Sequence, residues 1–199
     1  MPSLASLSVL VPIFNERATI ERLLNQVIQV KTGLTVEVLA CDDGSTDGTR
    51  EILSKLSLPG LKVIFMDENV GRGGVIKHLW KIATGDVIVH QDADLEYDPR
   101  DYIPMLEPLL AGRADVVYGS RFKGSIEGMR FLNRMGNLTM TGAARLAQRG
   151  ARFTEVPVSF SGRTFEEGKK IRAFDAVRVM RELIRCKIVS EMATGEAHG

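Results

Sequence analysis

The feature that most restricts what this chain can fold into is a repeated change of apolar period over residues 1–120. Short β-branched runs alternate with longer stretches whose apolar residues return at helical spacing. Strands are predicted over 7–12, 35–41, 61–66, 86–91 and 115–119, with helices over 18–30, 47–56, 74–84 and 101–110 between them. This is the pattern of an α/β fold with a doubly wound, mostly parallel sheet, because each helix carries the chain back across a face of the sheet. The runs Val36-Glu-Val-Leu-Ala40 and Val87-Ile-Val89 lack the alternation of a half-solvated strand, so helices are expected on both faces. Pro99 and Pro104 suit loop or first-turn positions.

In such sheets ligands bind beyond the carboxyl ends of the strands, and every predicted end carries polar residues. The first strand runs into Val11-Pro-Ile-Phe-Asn-Glu16, the second into Cys41-Asp-Asp-Gly-Ser-Thr-Asp-Gly-Thr49, the third into Asp67-Glu-Asn-Val-Gly-Arg-Gly-Gly74 and the fourth into Asp92-Ala-Asp-Leu-Glu-Tyr-Asp-Pro99. Extended-chain alternation puts Asp92 and Asp94 on one side, where two carboxylates repel unless a divalent cation or a substrate donor lies between them. Asp42 and Asp43 are placed to accept hydrogen bonds from a ribose or base, whereas Ser45, Thr46 or Asp47 is expected to cap the next helix. Asp43, Ser45, Asp47 and Gly48 also open like a calcium-binding EF-hand loop, but its twelfth position is Ser54 where a bidentate Glu is required, which excludes that reading. Gly71, Gly73 and Gly74 allow a sharp turn and close approach of a ligand before a helix, a weak signal taken alone.

With 199 residues, 44% of them hydrophobic and 26% charged, the chain can bury one sizeable core and is read as a single domain, 1–199. No apolar run approaches the roughly 20 residues of a spanning helix, and the N-terminus lacks a basic n-region, so a cytoplasmic location is expected. Cys41 and Cys186 form no metal-ligand spacing and suit a reducing compartment. The net charge of +1 hides an asymmetry: residues 1–120 hold 11 Lys and Arg against 17 Asp and Glu, and residues 121–199 hold 15 against 8. An acidic half can hold cations; a basic half can hold phosphates or rest on an anionic membrane. Solvated surface faces account for the asymmetry equally well. Nucleic acid is not an expected partner.

Taken together, these motifs resemble the family 2 glycosyltransferases, on the branch that includes dolichol-phosphate mannose synthase and the bacterial polyprenyl-phosphate sugar transferases. The resemblance rests on Val11-Pro-Ile-Phe-Asn-Glu16, Asp42-Asp-Gly-Ser-Thr-Asp-Gly-Thr49, Asn69-Val-Gly-Arg-Gly73, Gly85-Asp86 before Asp92-Ala-Asp-Leu-Glu96, and Gly119-Ser-Arg-Phe122. It continues in Glu155-Val-Pro157, Gly162-Arg-Thr164 and Gly168-Lys-Lys170. It implies the GT-A nucleotide-sugar transferase fold and an inverting, metal-dependent transfer of a hexose from a nucleotide-diphospho-sugar (UDP or GDP) to a polyprenyl phosphate, with Mg²⁺ or Mn²⁺ as cofactor. By position, Pro12, Phe14 and Glu16 would line the nucleoside pocket and Asp42 would contact base or ribose. Asp92 and Ala93 would face ribose and diphosphate. Asp94 would bind the metal, with Glu96 and Asp92 beside it, and Asp98 is left to a turn or cap before Pro99. Arg121, Arg134, Arg163, Lys169 and Lys170 would surround the donor diphosphate and the acceptor phosphate, so that Asp94 and Arg121 act on the reacting groups. The segment 172–189 interleaves apolar and basic residues as an amphipathic helix, compatible with a membrane interface and equally with a helix packed on the sheet.

A sugar hydroxyl acceptor needs a general base, whereas a lipid phosphate is already an anion near neutral pH. His78, His90 and His198 fall in a helix, at a strand end and in the tail, so none is a strong base candidate, which favours the lipid phosphate. One departure from the family pattern concerns the acceptor side. Residues 129–142 pass almost at once into Ala143-Ala-Arg-Leu-Ala-Gln-Arg-Gly150 and a strand over 152–160, so this half is expected to be shortened near 143–150. A non-catalytic nucleotide-sugar-binding module is the alternative. A sugar-phosphate nucleotidyltransferase would need a Gly-rich basic loop after the first strand, which Pro12-Ile-Phe-Asn-Glu16 is not.

Overall fold

A computed structural model of the chain describes residues 4–120, 126–127 and 152–161. Strands β1 (Ser6–Ile13), β2 (Thr35–Asp42), β3 (Leu61–Phe65) and β4 (Val87–His90) form a four-stranded parallel sheet in the order β3-β2-β1-β4. Helices α1 (Ile20–Gln29), α2 (Thr49–Leu53) and α3 (Gly71–Ile82) are the crossovers. A 3₁₀ turn at Pro99–Asp101 leads into α4 (Tyr102–Leu110).

The pairing register explains why the sheet is covered twice. Leu7 opposes Val36 and Val87, and Val9 opposes Val38 and Val89, so the odd positions of β1 stack with apolar neighbours on one face. There they meet Ile20, Leu23, Leu24 and Val27, whose spacing forms a single stripe of α1. On the opposite face Leu10, Leu39 and Cys41 pack against Val75 and Leu79 of α3. Helices therefore lie on both faces, as the unbroken apolar runs imply.

Residues Gly85 and Asp86 pin the start of β4 at the edge away from the strand carboxyl ends. The buried Ser8 hydroxyl donates to Glu37 Oε1 at 2.5 Å and accepts from the Gly85 N–H at 2.8 Å. Thr84 donates to the same Glu37 oxygen from its N–H and its hydroxyl. Asp86 Oδ2 accepts from the N–H groups of Ala5 and Ser6 at 2.9 and 3.0 Å and from the Ser6 hydroxyl at 2.8 Å. A Cβ on residue 85 would stand 2.5 Å from Ser8 N, so only glycine lets the strands approach this closely.

Several boundaries differ from the periodicity reading. Helix α2 is one turn long because its end tightens, with Lys55 N–H bonding Ile52 and Leu56 N–H bonding Leu53, before Gly60 turns the chain at φ +73°. Helix α3 begins earlier, at Gly71, where Asn69 Oδ1 accepts the Gly71 N–H at 3.1 Å. The strand expected over 152–160 breaks after Pro157 into β7 (Phe153–Pro157) and β8 (Phe160–Ser161). β7 pairs in parallel with β5 (Val116–Ser120) in a two-stranded ladder apart from the main sheet, and β8 pairs with β6 (Ile126–Glu127). Tyr118 stacks on Phe153, and Arg152 clamps Asp115 with two nitrogens at 2.8 and 2.9 Å, closing the β5–β7 pair. Most of the basic half expected over 121–199 lies outside the described residues, including 143–150, 172–189 and Cys186.

Candidate functional site

The four parallel strands end on one edge, and side chains stitch their loops together. After β1 the chain turns sharply at Asn15, whose φ is +55°. The Asn15 N–H donates to Ser45 Oγ at 2.8 Å, and Asn15 Oδ1 accepts the Thr46 N–H at 2.8 Å. Glu16 N–H donates to Thr49 Oγ1 and Arg17 N–H to Asp47 Oδ2. Asp47 Oδ1 accepts both the N–H and the hydroxyl of Thr49, so Asp47 holds the start of α2 as expected. Ser45 instead joins two loops, and the residue flanking α2 is Gly48 at φ +98°, without a side-chain cap. Burial would raise the Asp47 pKa, but hydrogen bonds from Thr49 and Arg17 outweigh it and hold the carboxyl below its ordinary value.

Asp42 is fully buried at the end of β2. Its Oδ2 accepts the Ser45 N–H at 3.2 Å and lies 3.4 Å from the Arg50 guanidinium, while its Oδ1 has no hydrogen-bond partner among the described residues. A buried acceptor without a donor is costly, so this oxygen marks a place for one. Arg50 is fixed by the Met66 carbonyl at 3.0 Å and by the Phe65 ring, 5.0 Å from its carbon centre. Asp43 is 3% exposed, and its Oδ1 accepts the Val70 N–H at 2.8 Å, tying the loop after β3 to that after β2. Burial, then the charges of Asp43 and Asp42, push the Cys41 thiol up to about 11. Cys41 is thus a buried free thiol.

Pro12 opposes Cys41 in β1, and Phe14 beyond it is 39% exposed. Leu10 directs its backbone groups toward β4, accepting the Gln91 N–H at 2.9 Å. Pro12 is the next residue on that side and has no N–H to offer, so the β1–β4 ladder stops at the Leu10–His90 pair. The chain then leaves the sheet and turns through Asp92 to Leu95, the last at φ +60°. Strand alternation therefore does not reach Asp92 and Asp94, and their predicted shared side does not follow from it.

The countercharge at Asp92 comes from Arg72, a residue that the sequence reading passed over. Arg72 sits in the first turn of α3, and its guanidinium lies 2.6 Å from Asp92 Oδ1. Its only sequence signal is its place in Asn69-Val-Gly-Arg-Gly73. Ala93 is buried, and its carbonyl accepts the Thr19 hydroxyl at 2.8 Å. Asp94 Oδ1 accepts the Glu96 N–H at 3.2 Å. Asp98 accepts the Arg100 N–H at the start of the 3₁₀ turn, as expected of a cap, and Arg100 holds its carboxyl below the ordinary range.

Gln91 supports this turn from beneath. Its Nε2 donates to the carbonyls of Asp92 and Tyr97, and its Oε1 accepts the buried Tyr102 hydroxyl at 2.6 Å. Desolvation lowers the His90 pKa, the Arg72 charge adds to it, and Asp92 opposes; Nε2 accepts the Trp80 indole N–H at 3.0 Å. Beside Asp92 opens a cleft of about 220 Å³ whose lining includes Arg72, Gln91, Asp92, Tyr102, Gly119 and Val158.

Among the described residues no three His, Cys, Asp or Glu side chains gather closely enough to cage a metal. Asp92, Asp94 and Glu96 are hard oxygen donors on one short turn. They fit Mg²⁺ or Mn²⁺ held by one or two protein carboxylates, the remaining positions being filled by water and substrate oxygens. Arg121, Arg134, Arg163, Lys169 and Lys170 lie outside the described residues.

The model of the family described as glycosyl transferase family 2 matches residues 8–169. A dolichol-phosphate mannosyltransferase of Pyrococcus furiosus is 32% identical over 155 residues, covering 76% of this chain and 44% of that protein. An undecaprenyl-phosphate 4-deoxy-4-formamido-L-arabinose transferase of Aeromonas hydrophila is 31% identical over 110 residues, covering 53% of this chain and 34% of its own length. The chain thus spans less than half of either relative. Among solved structures, glucosyl-3-phosphoglycerate synthase of Mycobacterium tuberculosis in complex with phosphoglyceric acid superposes with a TM-score of 0.59 at 19% identity, covering 91% of this chain and 79% of that one. S. aureus TarS 1–349 in complex with UDP gives 0.56 at 17% identity, covering 90% and 70%. At these identities the likeness concerns the fold, which is GT-A as the motifs implied.

Proposed function

The chain belongs to glycosyl transferase family 2, and on that premise we propose that it builds the donor site of an inverting, metal-dependent hexosyltransferase. The donor is a nucleoside diphosphate sugar and the acceptor a polyprenyl-type phosphate. The observation that carries this reading is the row of carboxylates at the ends of β2 and β4, with Asp42 Oδ1 buried and without a donor among the described residues at one end and the half-buried Asp92 and Asp94 at the other. A nucleoside offers N–H and O–H donors, and a diphosphate brings the cation that carboxylates hold.

In this reading Asp42 accepts a hydrogen bond from the base or ribose, with Asp43 fixing the adjacent loop and Pro12, Phe14 and Glu16 lining the pocket. Asp92 faces the ribose and diphosphate, and Ala93, whose side chain is packed in the core, meets them through its backbone. Asp94 holds Mg²⁺ or Mn²⁺, with Glu96 or Asp92 as the second carboxylate beside it. That cation supplies charge stabilisation at the departing diphosphate. Arg121, Arg163 and Lys169 attract the phosphates, for which guanidinium groups suit bidentate contact. An anionic phosphate acceptor is its own nucleophile, so the site needs no side chain to remove a proton. The names of the Pyrococcus and Aeromonas relatives support a polyprenyl-type acceptor. Such an acceptor would bring the basic half to the cytoplasmic face of a membrane. Among the described residues no helix is long and apolar enough to cross one.

Thermal unfolding with a panel of UDP- and GDP-sugars, with and without Mn²⁺ or Mg²⁺, tests the donor site. A ligand at a hundredfold its Kd adds about 2.7 kcal/mol, a rise of about 5–10 °C in Tm at this size, and only when metal is present. If no nucleotide sugar raises Tm with either metal, the reading is wrong. Release of nucleoside diphosphate on adding a polyprenyl phosphate tests transfer; binding without release selects the non-catalytic module instead.

A further inference from the structure

The carboxylates along the site edge are held in two different ways. Asp42, Asp43 and Asp94 each accept a backbone N–H, from Ser45, Val70 and Glu96, and such donors are fixed by the fold. Asp92 is paired instead with a side chain, and that side chain is 64% exposed. Arg72 has no other hydrogen bond or ion pair among the described residues, so it is tethered to α3 at one end and to Asp92 at the other. The ground around it is open: a Cβ added at Gly71 or Gly73 would meet nothing within 4 Å.

We propose that Arg72 is an exchangeable counterion. It neutralises Asp92 while the donor is absent, and it leaves Asp92 when a divalent cation and a diphosphate arrive together. A cation approaching Asp92 must compete with the guanidinium already there, so bare metal binds weakly. A metal that arrives with diphosphate adds negative charge, and the released guanidinium can turn to it. Arg72 thus links metal affinity to the presence of the nucleotide, discouraging a metal-only state. The inference rests on the proposed role of Asp92 beside the metal and diphosphate.

One substitution should move two affinities in opposite directions. In Arg72→Gln, Mn²⁺ measured by the EPR signal of the free ion, without nucleotide, should bind about 2–5-fold more tightly, the scale of one exposed ion pair. UDP and GDP, titrated calorimetrically with saturating Mn²⁺, should bind several-fold more weakly. Arg72→Lys keeps the charge and should restore weak metal binding. In an Asp92→Asn background Arg72→Gln should bring no further gain for Mn²⁺, because the competition it relieves is then gone. Mn²⁺ affinity that is unchanged or lower in Arg72→Gln, or a gain that persists with Asn at position 92, overturns the exchange while leaving the donor site standing. A wild-type protein that binds neither Mn²⁺ nor either nucleotide overturns both. Circular dichroism of each variant confirms that folded protein is compared throughout.

Discussion

Replacing Gly85 with alanine would drive a methyl group into the central strand of the sheet. The added Cβ would stand 2.5 Å from Ser8 N, 2.7 Å from Ser8 Oγ and 2.9 Å from the Leu7 carbonyl carbon. Two of those atoms are backbone of β1, which is paired on both sides and cannot retreat alone. The start of β4 must move instead, and overpacking of this kind costs about 1–3 kcal/mol. The same movement stretches the 2.8 Å bond from Gly85 N–H to the buried Ser8 hydroxyl. Impairing a buried hydrogen bond adds about 1–3 kcal/mol, while alanine stiffens the unfolded chain and returns about 0.4–1 kcal/mol. The net loss is about 1–5 kcal/mol, a fall in Tm of about 2–20 °C for a chain of this length. Urea denaturation followed by circular dichroism gives the number directly. Gly73→Ala is the matched control, since the new methyl meets nothing within 4 Å in the first turn of α3; it should stabilise by about 0.5–1 kcal/mol. If the two glycines respond alike, or if Gly85→Ala stays within about 0.5 kcal/mol of the parent, the contact assigned to Gly85 is wrong.

Asp94→Asn should abolish the metal-dependent rise in Tm with a nucleotide sugar while leaving the unliganded Tm in place; a variant that keeps the metal response would remove Asp94 from the metal site. Thr49→Val deletes a buried hydroxyl that donates to Asp47 and accepts from Glu16, and should cost about 1–3 kcal/mol in urea, with Thr49→Ser recovering most of it. Tyr102→Phe leaves Gln91 Oε1 without its donor and should cost about 1–2 kcal/mol; an unchanged urea midpoint would show that water replaces the hydroxyl. Hydrogen bonds hold the Asp47, Glu37 and Asp86 carboxyls below their ordinary values, against burial for the first two. Groups lowered by folding contribute fully above the ordinary range near pH 4 and lose that contribution as pH falls through their folded values. Urea midpoints should therefore be flat near neutrality and drop below about pH 4, with Asp47→Asn flattening that drop.

How much of the site was legible in the sequence depended on the range of the interaction involved. The Asp98 cap acts on a residue two positions away, and the hold of Asp47 on Thr49 is equally local, so both were readable from neighbouring residue types. Ser45 looked like a cap for the same local reason, but its hydroxyl is taken by Asn15, 30 residues earlier, a partner that only the adjacency of β1 and β2 supplies. Arg72 and Asp92 are 20 residues apart on different elements, and nothing local marks their pairing. Alternation taken from the residues of β4 alone extends past His90 to Asp92 and Asp94, whereas Pro12 of the neighbouring strand ends the ladder at His90.

By itself the sequence determined the layered fold, because apolar period is a property of each segment that survives whatever the segments later touch. It also determined which residue types stand at the strand ends, and through their motifs the family. Only the tertiary structure decided how those residues divide the work. Among the described residues it left Asp42 Oδ1 without a donor, and it tied Asp43 to Val70. It set Gly85 against Ser8 and paired Asp92 with the Arg72 guanidinium. Those outcomes depend on distances between segments remote in the chain, fixed by strand order and register rather than by any run of adjacent residues.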